Sequence, residues 1–150
     1  MLKTTTKKTA RVAKVPDFAS TLVKQVMEKR VQFARPRMKG DVIASLMIEG
    51  FGAVPVVDST RKLVGIVSEH DLLGAIDEGH SLGALTAGDV MTGNPYSVPP
   101  ETTLGTLVHV LRASDLVRVP VVDAKGRLIG IIARRDVLRT YLSGGSARKQ

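Results

Sequence analysis

The stretch "VPVVDSTRKLVGIVSEHDLL", Val54 to Leu73, returns as "VPVVDAKGRLIGIIARRDVL", Val119 to Leu138. The two align without a gap at an offset of 65, and 10 of the 20 positions are identical. Upstream, "VMEKRVQFARP" (Val26 to Pro36) matches "VMTGNPYSVPP" (Val90 to Pro100) at an offset of 64. Two copies are too few for a solenoid, so a pair of units related by a two-fold is expected.

Each copy reads as the same local structure. "VPVV" and "LVGIV" (or "LIGII") are short apolar runs rich in β-branched residues, and turn-prone "DSTRK" or "DAKGR" separates them. That pattern predicts two strands joined as a hairpin. The runs are apolar at nearly every position, which predicts burial on both faces. Val42, Ile43, Leu46 and Met47 fall at helical spacing before the first hairpin; Leu104, Leu107, Val108 and Leu111 do so before the second. Asp71 to Ile76 and Asp136 to Tyr141 read as helices after the hairpins. Each unit is therefore helix–strand–strand–helix. A unit of about 60 residues is marginal alone, so the two are expected to share a core.

The predicted organisation is a basic tail over 1–16, a first unit over 17–76, a linker over 77–86, a second unit over 87–142 and a basic tail over 143–150. Gly79 and Gly83 mark the linker as a loop, and Thr86 reads as the cap of a short turn leading into Val90 and Met91.

Composition narrows the chemistry. The chain has no Cys or Trp, two Tyr and three Phe. Disulfides, thiolate catalysis and Cys-based metal sites are excluded. No apolar run reaches the 18 or so residues of a membrane span, and no secretory signal is evident. A reducing, cytoplasmic setting fits. The net charge is +8, of which residues 1–16 carry +5 and Arg148 and Lys149 carry +2. The remainder nets +1, so nucleic-acid contact is expected only through the tails. The acid-free, Thr-rich first tail also leaves an organellar presequence open. His70, His80 and His109 lack partners at catalytic or metal-ligand spacing, and there is no P-loop. No catalysis and no metal are expected.

A "VM" opening, an "hPVVD" strand and a "GIhxxxD" strand-to-helix junction, in that order and twice, resemble a tandem pair of CBS domains (named after cystathionine β-synthase), a Bateman module. The resemblance covers roughly Leu22 to Tyr141. It implies an α+β fold of two CBS-type units packed through their sheets with pseudo-two-fold symmetry. It also implies a non-catalytic regulatory module. Such a module binds adenosine-containing nucleotides (AMP, ADP, ATP, S-adenosylmethionine or NAD) between its units and passes a conformational change to a protein partner. No cofactor is required. Self-association into a homodimer is implied as well. A constitutive dimeric scaffold without nucleotide is the alternative.

The resemblance places two sites. In the family pattern the closing Asp accepts from the ribose hydroxyls and the Ser or Thr three residues earlier helps hold phosphate. The primary site is built on Ser68 and Asp71, with Lys29 and Arg30 as phosphate-binding cations. Thr92, Pro95, Tyr96, Val117 and Arg118 form its opposite wall. The secondary site is built on Asp136. Ala133 replaces the hydroxyl residue there, Arg134 and Arg135 could turn toward phosphate, and Gln32, Phe51, Gly52 and Ala53 form the wall. Ser68 and the two aspartates could equally be plain helix caps. Asp58 and Asp123 read as turn residues.

Overall fold

The computed structural model describes residues 17–50 and 52–144. Residues 1–16 and 145–150, which carry the basic charges of both tails, and Phe51 lie outside them. Among the described residues, no helix is long and apolar enough to cross a membrane.

The predicted hairpins form. β1 (Ala53–Val57) pairs antiparallel with β2 (Leu63–Ser68), and β4 (Arg118–Val122) with β5 (Leu128–Ala133), each with one register shift just before the turn. The turns are held by their aspartates. The Asp58 carboxylate accepts from Thr60 N–H (2.8 Å), the Thr60 hydroxyl (2.7 Å) and Lys62 N–H (3.0 Å). Asp123 accepts from Arg127 N–H and Lys125 N–H, both at 2.9 Å. These bonds, led by the Thr60 hydroxyl at Asp58 and the Arg127 amide at Asp123, hold both carboxyls below the usual aspartate range. The two turns then meet. Leu63 N–H donates to Gly126 O and Leu128 N–H to Arg61 O, both at 3.0 Å. This exchange joins the two hairpins about the pseudo-two-fold.

The helices follow the apolar spacing. α1 (Gly40–Ile48) precedes β1, and α2 (Glu69–Asp77) follows β2. The linker holds a short 3-10 turn, Leu82–Ala84, and ends at Thr86, whose hydroxyl caps the one-turn α3 (Ala87–Val90) by accepting from Asp89 N–H at 3.3 Å. The linker also packs on α1, with Gly40 N–H donating to Leu85 O at 2.9 Å, so it is more ordered than a bare loop. α4 (Leu104–Arg112) and α5 (Arg134–Leu142) flank β4 and β5. β1 and β4 are buried nearly throughout, as expected of strands covered on both faces. β2 and β5 instead alternate buried and half-buried positions.

The two cores do not coincide with the two halves of the sequence. One cluster gathers Val23, Val26 and Met27 with Leu104, Leu107, Val119, Val121 and Ile132. The other gathers Ile43, Val54, Val56 and Val67 with Ala87, and Met91 packs against it. The "VM" segment of each repeat thus completes the core of the other. Glu28 pairs with Ile131 of β5, through N–H···O bonds of 2.8 and 3.0 Å. In the mirror position, β3 (Thr92–Gly93) adds to β2 at Gly65 and Ile66. Each segment then crosses back: Ala34 bridges to Val56 and Val98 to Val121, both parallel.

This crossing explains the paired glycines. Met27 lies on Gly130 and Met91 on Gly65, so closely that a methyl group at either glycine would collide with the methionine sulfur. The backbone beside each leaves little room, since Glu28 O and Thr92 O would stand 3.2 and 3.1 Å from the added carbon. Gly130→Ala should therefore cost about 1–3 kcal/mol through overpacking, read by denaturant unfolding. Gly93→Ala, where nothing stands within 4 Å of an added methyl, is the control and should be near neutral.

Candidate functional site

The repeated "GIhxxxD" junction turns a strand directly into a helix. In the first copy Ser68 caps α2: its hydroxyl accepts from Asp71 N–H at 3.1 Å, and the Asp71 carboxylate accepts from Ser68 N–H at 2.8 Å. This is a reciprocal capping box. In the second copy Ala133 supplies no hydroxyl. Asp136 still folds back, with Oδ2 accepting from Ala133 N–H at 2.9 Å. Its Oδ1 accepts from Arg139 Nη1 at 3.0 Å, one turn further along α5. Asp136 is buried, at 8% exposure, whereas Asp71 is half-buried.

A cavity of about 300 Å³ opens at Asp136. Glu28, Arg30, Val31 and Gln32 line it from the crossing segment, and Gly50 and Ala53 from the approach to β1. Val117 and Arg118 line it at the start of β4. Ile131, Ala133, Arg135, Asp136 and Arg139 close it at the β5–α5 junction. Both sequence units contribute, and the volume falls at the lower end of small-ligand clefts.

The expected groupings change in three respects. The resemblance groups Arg30 with Lys29 at the Asp71 site, but pairing of Glu28 with Ile131 carries Arg30 to the Asp136 cavity, and Lys29 is exposed. Val117 and Arg118 also line the Asp136 cavity. Arg134 turns away from it: Nε donates to Leu116 O at 2.6 Å and Nη2 to Ser114 O at 3.2 Å, tying α5 to the loop before β4. Of the two adjacent arginines, only Arg135 reaches the cavity. Gln32 and Ala53 line it as expected, and Gly52 lies under the Arg118 guanidinium. Phe51 is outside the described residues.

Around Asp71, Thr92 pairs with Ile66, two residues before Ser68; Pro95 is half-buried and Tyr96 exposed. A second cavity at Asp71, also about 300 Å³, is lined by His70, Gly74, Ala75, Glu78, His80, Leu85, Asp89 and Val90, on the linker side. Sequence reasoning missed Arg139. Its position three residues after Asp136 on a helix was the available signal.

A family model for the CBS domain matches residues 23–78 and again 87–143. The chain belongs to the CBS domain family. Among relatives of this CBS pair, a CBS domain-containing chloroplastic protein of Arabidopsis thaliana, CBSX1, is 31% identical over 72% of this chain and 58% of its own length. The chain spans 48–62% of the length of four curated relatives it matches. A solved structure of CBSX2 in complex with AMP, a protein of the same plant, is 32% identical with a TM-score of 0.73, over 81% of this chain and 96% of that one. The CBS domain pair of protein MJ0100, solved with 5′-methylthioadenosine and S-adenosyl-L-methionine, is 26% identical with a TM-score of 0.74. That match covers 82% of this chain and 97% of the other.

The difference between the two junctions is testable by exchange. Ser68→Ala should cost about 1 kcal/mol of stability, a fall of about 2–4 °C in Tm. Ala133→Ser should raise Tm in the same range by restoring the hydroxyl cap. Equal and negligible shifts in both would show that the hydroxyl contributes nothing to the cap.

Proposed function

We propose that this CBS pair is a non-catalytic regulatory module that binds an adenosine-containing nucleotide in the cavity at Asp136. The observation that carries this reading is the cavity itself. Both units line it, and it ends on a buried carboxylate at a helix start. A carboxylate offers about four acceptor directions, so capping α5 and accepting from a ribose diol are compatible. The amides of Arg135 and Asp136 in the first turn of α5 supply donors for a phosphate, while that of Arg134 donates to Val117 O. The apolar edges of Val31, Ala53, Val117 and Ile131 suit a base. A nucleotide bridging both units would favour one of their relative arrangements, which is how a ligand shifts an equilibrium that a protein partner could read. The AMP complex of CBSX2 supports the ligand class. A second nucleotide position at Asp71, with Ser68, Thr92, Pro95 and Tyr96, is part of the same proposal and ranks below the first.

Calorimetry with AMP, ATP, S-adenosylmethionine and NAD tests it. A ligand at 100 times its Kd should stabilise the fold by about 2.7 kcal/mol. Asp136→Asn, which keeps a side chain able to cap, should bind at least about tenfold more weakly. Absence of binding by all four, or unchanged binding by the variant, would refute the proposal.

We also propose a homodimer formed through the outer helices. Ile48 of α1 is 86% exposed, Leu73 of α2 62%, and Leu138 and Leu142 of α5 65% and 85%. Such apolar surface is characteristic of association faces. Sedimentation should give a dimer at micromolar concentration, and Leu138→Glu with Leu142→Glu should give a monomer. A monomeric wild type would dismiss this. A dimer that binds no nucleotide would instead favour the constitutive scaffold.

A further inference from the structure

We propose that the face where the two hairpin turns meet binds the phosphate backbone of a nucleic acid, through Arg35, Arg61, Lys62, Lys125 and Arg127. These residues lie apart from the Asp136 cavity, and the inference does not depend on nucleotide binding there.

The described residues net only +1, which conceals a local concentration of charge. Arg61 and Lys62 stand on one turn, Lys125 and Arg127 on the other. The hydrogen bonds between the turns bring the four together, and Lys62 faces Arg127 directly as an antiparallel pair. Arg35 joins them from the segment that crosses to β1, with Nη1 donating to Asp58 O at 2.7 Å. All five cations are exposed. The two acids of these turns, Asp58 and Asp123, are held by turn amides. No single element carries this face, so the sequence pattern of a basic stripe is absent.

The arrangement works against the fold in two ways. Arg61 has a φ of 70°, a left-handed conformation that costs a residue with a side chain and suits glycine. The mirror turn has Gly126 at that position. Lys62 opposite Arg127 sets like charges against each other, which is also unfavourable. A polyanion on this face would relieve the repulsion.

Two of the cations are already fixed in place. The Arg35 and Arg61 guanidinium groups lie 5.6 and 4.7 Å from the centre of the Phe33 ring. Arg61 Nε also donates to Leu128 O at 3.2 Å. Less freedom is therefore lost when their remaining N–H groups meet a phosphate. The mirror positions of Phe33, Arg35 and Arg61 hold Ser97, Pro99 and Gly126, so the crossing and the turn form without them. A role in tying the turns would account for Arg61. It does not account for Lys62 and Lys125, whose ammonium groups make no hydrogen bond or ion pair with another described residue.

The charge pattern favours a nucleic acid as the partner. Arginine forks match phosphate oxygens, and a repeating polyanion engages several cations at once. Residues 1–16 add five cations and no acid, which would extend the attraction along the same polymer. Phe33 is engaged by arginines instead of open to a base, so contact is to phosphates and carries no base preference.

The test is fluorescence anisotropy of a labelled oligo(dT) of about 30 nucleotides with the full chain, over a range of salt. The logarithm of the binding constant should fall with the logarithm of salt at a slope of about −3.5 or steeper, for five or more cations. Lys62→Gln with Lys125→Gln should flatten that slope by about 1.4 and weaken binding at least about tenfold at about 0.1 M salt, with Tm unchanged. No binding at low salt, or the same affinity and slope in the double variant, would overturn the proposal. Polyglutamate competing as well as unlabelled oligo(dT) would assign the face to acidic proteins and overturn the nucleic-acid partner. Displacement of the strand by excess AMP would place it in a nucleotide cavity and overturn the turn face as its site.

Discussion

The seating of Met27 on Gly130, with Glu28 paired to Ile131 beside it, is the contact on which the structure depends. Its mirror image seats Met91 on Gly65, with Thr92 paired to Ile66. Each repeat thereby lays its "VM" segment along the edge of the other's hairpin. Without that exchange each hairpin would expose a sheet edge, and each core would lack its "VM" residues. A half of about 60 residues has little surface to bury by itself. The exchange makes the pair one folding unit in which neither half is complete.

The same exchange builds the cavity. Because residues 28–32 must travel between the β5 edge and β1, they pass over the β5–α5 junction and become a wall. Asp136 then serves two ends through one geometry: its carboxylate caps the helix, and its position closes the cavity. Arg139 neutralises part of its charge from one turn away, while Arg134 is spent on the carbonyls of Ser114 and Leu116, fixing the helix start. Pseudo-symmetry is therefore strong in the backbone and weak in charge. The hairpins, caps and crossings repeat, whereas the arginines do not.

Local features were legible in the sequence. The hairpins, the four main helices, the Ser68 and Thr86 caps and the Asp58 and Asp123 turns all follow from residues close together in the chain. The exchange was not legible, because both repeats carry the same "VM" and "GI" motifs. A sequence in which either "VM" could meet either "GI" does not say which pairing wins. That ambiguity groups Arg30 with Asp71, whereas the fold carries it to the cavity at Asp136. The divergence of Arg134 from Arg135 was hidden for another reason. Neighbours on a helix point about 100° apart, and only the position of the α4–β4 loop decides which one meets it. Arg139 needed no such knowledge, only helical spacing from Asp136.

We propose the cavity shared by the two repeats at Asp136 as the seat of an adenosine nucleotide. A crystal structure grown with AMP tests it most directly. Nucleotide density should fill that cavity, with the ribose hydroxyls on the Asp136 carboxylate. Density at Asp71 alone, or an empty Asp136 cavity at saturating AMP, would contradict it.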